Sequence, residues 1–138
     1  MTSAIVTAPA SSANLGPGFD CLGMGLQLYH RLNVQTNDSG QIEIRATGEG
    51  SDQVPLDDTN HVYQSMRRSF EVVGYRPSGL LIESHSEIPL AAGLGSSAAA
   101  CLVGLVAGML VSGQEVNRER IVRFGIMEEG HADNIVPS

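Results

Sequence analysis

The stretch from Ala98 to Val111 reads A-A-A-C-L-V-G-L-V-A-G-M-L-V, 14 residues without a charge. Such a segment is stable only inside a protein core or in lipid. A membrane span needs about 20 apolar residues, so this run predicts a buried helix. Gly104 and Gly108 form a G-x-x-x-G, a dimerisation signal only inside a true span. Here the small residues suit close packing against a sheet. The chain has 138 residues, a length for one domain. A chain of about 150 residues buries roughly 70% of its unfolded surface, so a core forms without staples. The two cysteines, Cys21 and Cys101, are neither a disulfide framework nor a zinc spacing. Both read as buried free thiols, which fits a reducing cytoplasm.

Charge excludes several function classes. The formal net charge is −7, and the eight cations are all arginine: 31, 45, 67, 68, 76, 118, 120 and 123. Neutralising phosphates of nucleic acid or of an anionic membrane takes clustered cations, so neither is an expected partner. Without lysine there is no Schiff-base lysine, no Walker A lysine and no protein-kinase lysine within these residues. Met1-Thr2-Ser3 lacks the basic start and long apolar stretch of a secretory leader.

Residues 3–8 suggest a strand, and Pro9 to Gly18 reads as a loop by composition. Alternation predicts strands over 26–36 and 41–47, joined at Asn37-Asp38-Ser39-Gly40 into a hairpin. Thr59 is placed to cap a helix over 60–73, with Val62, Met66, Phe70 and Val73 at helical spacing and Gly74 as its stop. A strand over 80–86, a glycine loop, the core helix over 96–111 and a helix over 117–129 complete the pattern. Strands grouped first predict an α+β fold rather than regular βαβ alternation. Residues 130–138 look like a loop leading onward, so the sequence reads as a piece of a longer protein.

Three segments carry chemistry. The first is I-P-L-A-A-G-L-G-S-S-A-A-A, residues 88–100. Gly93 and Gly95 allow a tight turn, Ser96 and Ser97 offer hydroxyls and helix caps, and a strong helix follows. Free amides at a positive helix end suit an anion, although an ordinary strand-to-helix turn has a similar composition. Walker A fails for want of lysine. The dinucleotide pattern matches as Gly93-Leu94-Gly95-Ser96-Ser97-Ala98, but Pro89 and Ala91-Ala92 separate it from the strand that should feed it. The second segment, P-A-S-S-A-N-L-G-P-G-F-D at 9–20, is a rigid loop offering Asn14 and Asp20. The third, E-E-G-H-A-D-N at 128–134, is dense in hard oxygen donors of the kind that suit Mg²⁺. His131 reads as a loop residue without a metal role.

In order, these segments resemble a known family. P-L-A-A-G-L-G-S-S-A-A is similar to the P-x-x-x-G-L-G-S-S-A-A nucleotide motif of the GHMP kinases. P-A-S-S-A-N-L-G-P-G-F-D-C-L-G resembles the N-terminal motif of the homoserine kinases within that family, and E-G-H-A-D-N resembles their E-G-H-P-D-N. The likeness runs from near residue 9 to the last residue.

The resemblance implies a ribosomal protein S5 domain 2-like α+β fold. Residues 1–138 would be an N-terminal, ATP-binding domain that stops before its end. The family's C-terminal domain, with its third glycine-rich motif and substrate-binding arginines, would be absent. It implies transfer of the γ-phosphoryl of ATP to the hydroxyl of L-homoserine, with Mg²⁺. Pro89, Leu90, Ala91, Ala92, Gly93, Leu94, Gly95, Ser96, Ser97, Ala98 and Ala99 would wrap the phosphates. Ser97 and Glu129 would serve the metal. Asn14, Asp20 and Asn134 would line the amino-acid site, Asp20 facing the ammonium. Asp133 and Asn134 would sit near the reacting hydroxyl. Ala132 stands where the family has proline. A cytoplasmic protein and, at full length, a homodimer are further expectations, as is little or no activity from the 138 residues alone. The competing readings are another GHMP small-molecule kinase, a dinucleotide-binding oxidoreductase fragment using Gly93, Gly95 and Ala98, and a binding module without chemistry.

Overall fold

A computed structural model describes residues 1–13, 15–18 and 21–138. The strands are β1 (Ser3–Ala13), β2 (Gly23–Asn37), β3 (Ile42–Gly48) and β4 (Gly79–Ser86), and the helices are α1 (His61–Val73), α2 (Ser96–Val111) and α3 (Arg118–Glu129). A short 3₁₀ turn spans Gly16–Gly18. The fold is α+β, with one four-stranded sheet in the order β1-β2-β4-β3.

The sheet buries one face. Ala4, Ala8, Ala10, Leu32, Val34, Ile44, Leu80 and Ile82 are buried. All have even numbers, as the two-residue period of a strand requires. Ile5 points the other way and is 78% exposed. Against the buried face lies α2, which touches β1, β2, α1 and α3. The charge-free run is thus the middle of the core, as expected. Its glycines, however, face a helix and not the sheet. A Cβ on Gly104 would lie 2.4 Å from the Val62 carbonyl oxygen, and one on Gly108 would lie 2.7 Å from that of Met66. The missing side chains let α1 settle directly on α2, where Ser69 Oγ donates to the Leu105 carbonyl at 2.8 Å.

The expected hairpin does not form. β4 enters between β2 and β3, antiparallel to the first and parallel to the second. The turn after β2 wraps the start of β4. A Cβ on Gly79 would meet Asn37 Oδ1 at 2.3 Å and Ser39 Oγ at 2.5 Å, and Leu80 N donates to Gln41 O at 2.9 Å. The unbroken Leu80-Leu81-Ile82 suits a central strand, whereas alternation alone does not name a strand's neighbours.

β1 also runs further than expected, through Ala13 and into the segment read as loop. Its pairing with β2 shifts register between Pro9 and Ser11, and an edge strand tolerates proline at such an irregularity. The N-cap of α1 is Asn60, whose side chain accepts from Tyr63 N, and not Thr59. Thr59 instead bonds Asp57 in the preceding turn. Gly74 ends α1 in the left-handed region at φ 65°. Cys101 is buried as expected, but Cys21 is exposed.

Candidate active site

Between β4 and α2 the backbone turns left-handed three times, at Ala91 (φ 56°), Gly93 (φ 69°) and Gly95 (φ 69°). Left-handed residues alternating with ordinary ones turn successive amides into a concavity that suits an anion. Positive φ is uncommon for alanine, and such strain gathers at functional sites. Gly95 is the N-cap of α2 and offers no side-chain cap. Ser96 and Ser97 are therefore the first helical residues and not caps. The first-turn amides of α2 are left without an intrahelical acceptor at the positive end of a 16-residue helix.

The loop is held from behind. Ser11 N donates to Leu94 O at 2.9 Å, and Ser11 Oγ donates to Asn134 Oδ1 at 2.9 Å. Gly95 lies on that pair, and a Cβ there would come within 2.4 Å of Ser11 Oγ and 3.1 Å of Asn134 Oδ1. The segment after α3 reaches the loop because Ile135, 2% exposed, anchors it in the core. Gly125 leaves space for the Ile135 side chain. Asp133 pairs with His131 and accepts from Asn134 N at 3.1 Å.

Beside the uncapped end of α2, Ser97 Oγ donates to Glu129 Oε1 at 2.7 Å. His61 Nε2 lies 3.3 Å from the same oxygen and 3.4 Å from Ser97 Oγ. The Glu129 side chain is only 11% exposed and sits at the end of α3, where the helix dipole disfavours negative charge. Its neighbour Glu128 has Arg68 at 2.6 Å. Among the described residues Glu129 pairs with no arginine. A poorly compensated carboxylate next to a hydroxyl fits a hard divalent cation such as Mg²⁺. Beneath them Cys101 is buried, and desolvation pushes its thiol up to about 12.

A cavity of about 250 Å³ opens beside this cluster, walled by Ala46, Thr47, Val54, Pro55, Asn60, His61, Leu90, Ser96, Ser97 and Ala100, with His30 and Ser84 also lining it. Burial, with smaller contributions from His85 and His61, lowers His30 to about 4, so it is neutral at pH 7. His30 Nε2 lies 2.7 Å from Ser84 Oγ. A second, more open depression is bordered by Cys21, Leu22, Gly23, His131, Asp133, Val136 and Pro137.

A sequence model of the GHMP kinases N terminal domain matches residues 60–138. The chain belongs to the GHMP kinases. A homoserine kinase of Trichormus variabilis is 37% identical over 138 residues, which is 100% of this chain and 46% of that protein. A homoserine kinase structure from Cytophaga hutchinsonii superposes with a TM-score of 0.84 at 31% identity, covering 98% of this chain and 45% of that one. The mevalonate kinase of Methanococcus jannaschii superposes with a TM-score of 0.79 at 17% identity, over 98% of this chain and 50% of that one, a likeness of fold. The chain spans about half the length of the curated relatives it matches.

Within this GHMP fold the sequence-predicted residues are partly gathered. Pro89 to Gly95 form the turning loop, and Ser96 to Ala99 begin α2. Ser97 meets Glu129, and Asn134 meets the loop through Ser11. Asn14 and Asp20 lie outside the described residues. The dinucleotide reading fails on topology. β4 is flanked by one parallel and one antiparallel strand, and the loop does not turn directly from its end. Sequence reasoning missed His61, which enters the site as the first residue of α1. Its position directly after the asparagine cap was the available signal.

Proposed function

We propose that residues 1–138 are the nucleotide-binding part of a homoserine kinase, which transfers the γ-phosphoryl of ATP to the side-chain hydroxyl of L-homoserine and releases O-phospho-L-homoserine. The supporting observation is the meeting of Ser97 with Glu129 at 2.7 Å, beside the uncapped N-terminus of α2. Amide donors and a helix end replace the lysine that the chain lacks, and the choice of homoserine rests on relatives that match over its whole length.

The nucleoside would occupy the cavity walled by Val54, Pro55 and Leu90, and the phosphates would lie along Ala91 to Ala98. Mg²⁺, when bound, would supply charge neutralisation at the phosphates. Ser97 and Glu129 are the residues suited to hold it. Asp133 and Asn134 would lie near the acceptor hydroxyl, with Asn14, Asp20 and Asn134 as the amino-acid contacts. Phosphoryl transfer depends mainly on alignment and charge neutralisation, so Asp133 is assigned a positioning role. A cytoplasmic location accords with the reduced thiols.

Two assays test this reading. Mg²⁺·ATP should protect the chain thermally, whereas NADH should not. The complete gene product should phosphorylate L-homoserine in preference to mevalonate or galactose. Nucleotide binding without phosphorylation of any alcohol would favour a binding module. Preference for another alcohol would move the assignment within the GHMP kinases.

A further inference from the structure

The donor set around Glu129 holds more than hard oxygen ligands. His61 Nε2, Cys101 Sγ and a Glu129 carboxylate oxygen lie within 4.8 Å of one another. Ser97 and Cys101 stand at i and i+4 on α2, so they share a face, and a carboxylate brought to Ser97 is also brought over the thiol. His61 arrives from the start of α1, which the glycines of α2 hold close.

We propose that His61, Cys101 and Glu129 form a binding site for a borderline divalent transition metal, Zn²⁺ or Co²⁺, that shares Glu129 with the oxygen ligands of the Mg²⁺ site. One nitrogen, one thiolate and one carboxylate are a zinc-type set with a fourth position open, whereas Mg²⁺ prefers oxygen alone. With bonds of about 2.0–2.3 Å, tetrahedral donors lie roughly 3.5 Å apart. The His61–Glu129 pair, at 3.3 Å, already has that spacing. The thiol, within 4.8 Å of both, would have to move closer on binding. His61 lines the cavity together with Ser97, from which water or a phosphate oxygen would fill the fourth position. On binding, the metal–sulfur bond replaces the S–H bond and the proton leaves to solvent, so affinity rises with pH.

The site stands on three side chains. Only its competition with Mg²⁺·ATP rests on the kinase reading.

The test titrates the purified protein, carrying Cys21→Ser and kept reduced without thiols, with Co²⁺. The expected result is one equivalent bound, with intense tetrahedral d–d bands and a thiolate-to-cobalt charge-transfer band in the near ultraviolet. Cys101→Ala should abolish the charge-transfer band, and His61→Gln should weaken binding by about tenfold or more. Because His61→Gln retains the thiol, it reports even if the cysteine variant fails to fold. Absence of the charge-transfer band at millimolar Co²⁺ overturns the proposal, as does a band unchanged in both variants. Saturating Mg²⁺·ATP should bleach the band. A band that persists leaves the metal site intact and counts against the nucleotide reading, so the two failures are distinguishable.

Discussion

Ser97 and Glu129 lie 32 positions apart in the sequence, yet they meet at 2.7 Å between the second residue of α2 and the last residue of α3. The contact joins the positive end of one helix to the negative end of another, and a carboxylate occupies the unfavourable one. Glu129→Gln keeps the shape and removes the charge. Stability should hold or rise, because negative charge at a helix C-terminus is unfavourable. The Mg²⁺-dependent turnover of the complete gene product should fall by about 100-fold or more, the scale of losing an electrostatic partner to the transferring group. Thermal melts and a coupled kinase assay measure the two effects separately.

Gly93 and Gly95 share φ 69°, but their surroundings differ. Gly93 has open space where a Cβ would go, whereas Gly95 has Ser11 Oγ at 2.4 Å. Gly93→Ala should cost only the left-handed backbone penalty, about 1–2 kcal/mol. Gly95→Ala should cost more and should also displace the Ser11–Asn134 contact, weakening nucleotide binding. Denaturant melts together with nucleotide titration test the ordering; equal losses would refute it.

Gly104→Ala should separate α1 from α2, since the new Cβ would lie 2.4 Å from Val62 O and 2.9 Å from Ser65 Cβ. Overpacking of this kind costs about 1–3 kcal/mol. Asn60 and His61 sit at the start of α1, so the affinity for nucleotide should fall as well. An unchanged affinity in a folded variant would mean that α1 does not position the site.

His30 makes stability depend on pH. Its folded value is about 4 and its ordinary value is 6.5. Between those limits the unfolded chain holds a proton that the folded one does not. The contribution is complete above pH 6.5 and is lost as the pH falls toward 4, amounting to about 3 kcal/mol. The midpoint of urea melts should fall as the pH drops across that window, and His30→Gln should flatten the dependence.

Local patterns carried much of the fold. The charge-free run lies wholly within α2 and ends with it, and amphipathic spacing with a following glycine marked α1. Hydrophobic burial and glycine conformations act over a few residues and leave their mark there. The composition of 9–13 misled because proline and serine suit an irregular edge strand as well as a loop.

The residue types at the site were also legible, since a glycine loop before a helix and a carboxylate at a helix end are local features. The assembly was not. Which strand lies beside β2, which helix the α2 glycines receive, and that His61 and Cys101 converge on Glu129 are contacts between distant segments. No residue encodes its distant partner alone. Those partners are selected by the packing that buries the whole apolar surface at once, so only the tertiary structure decided them.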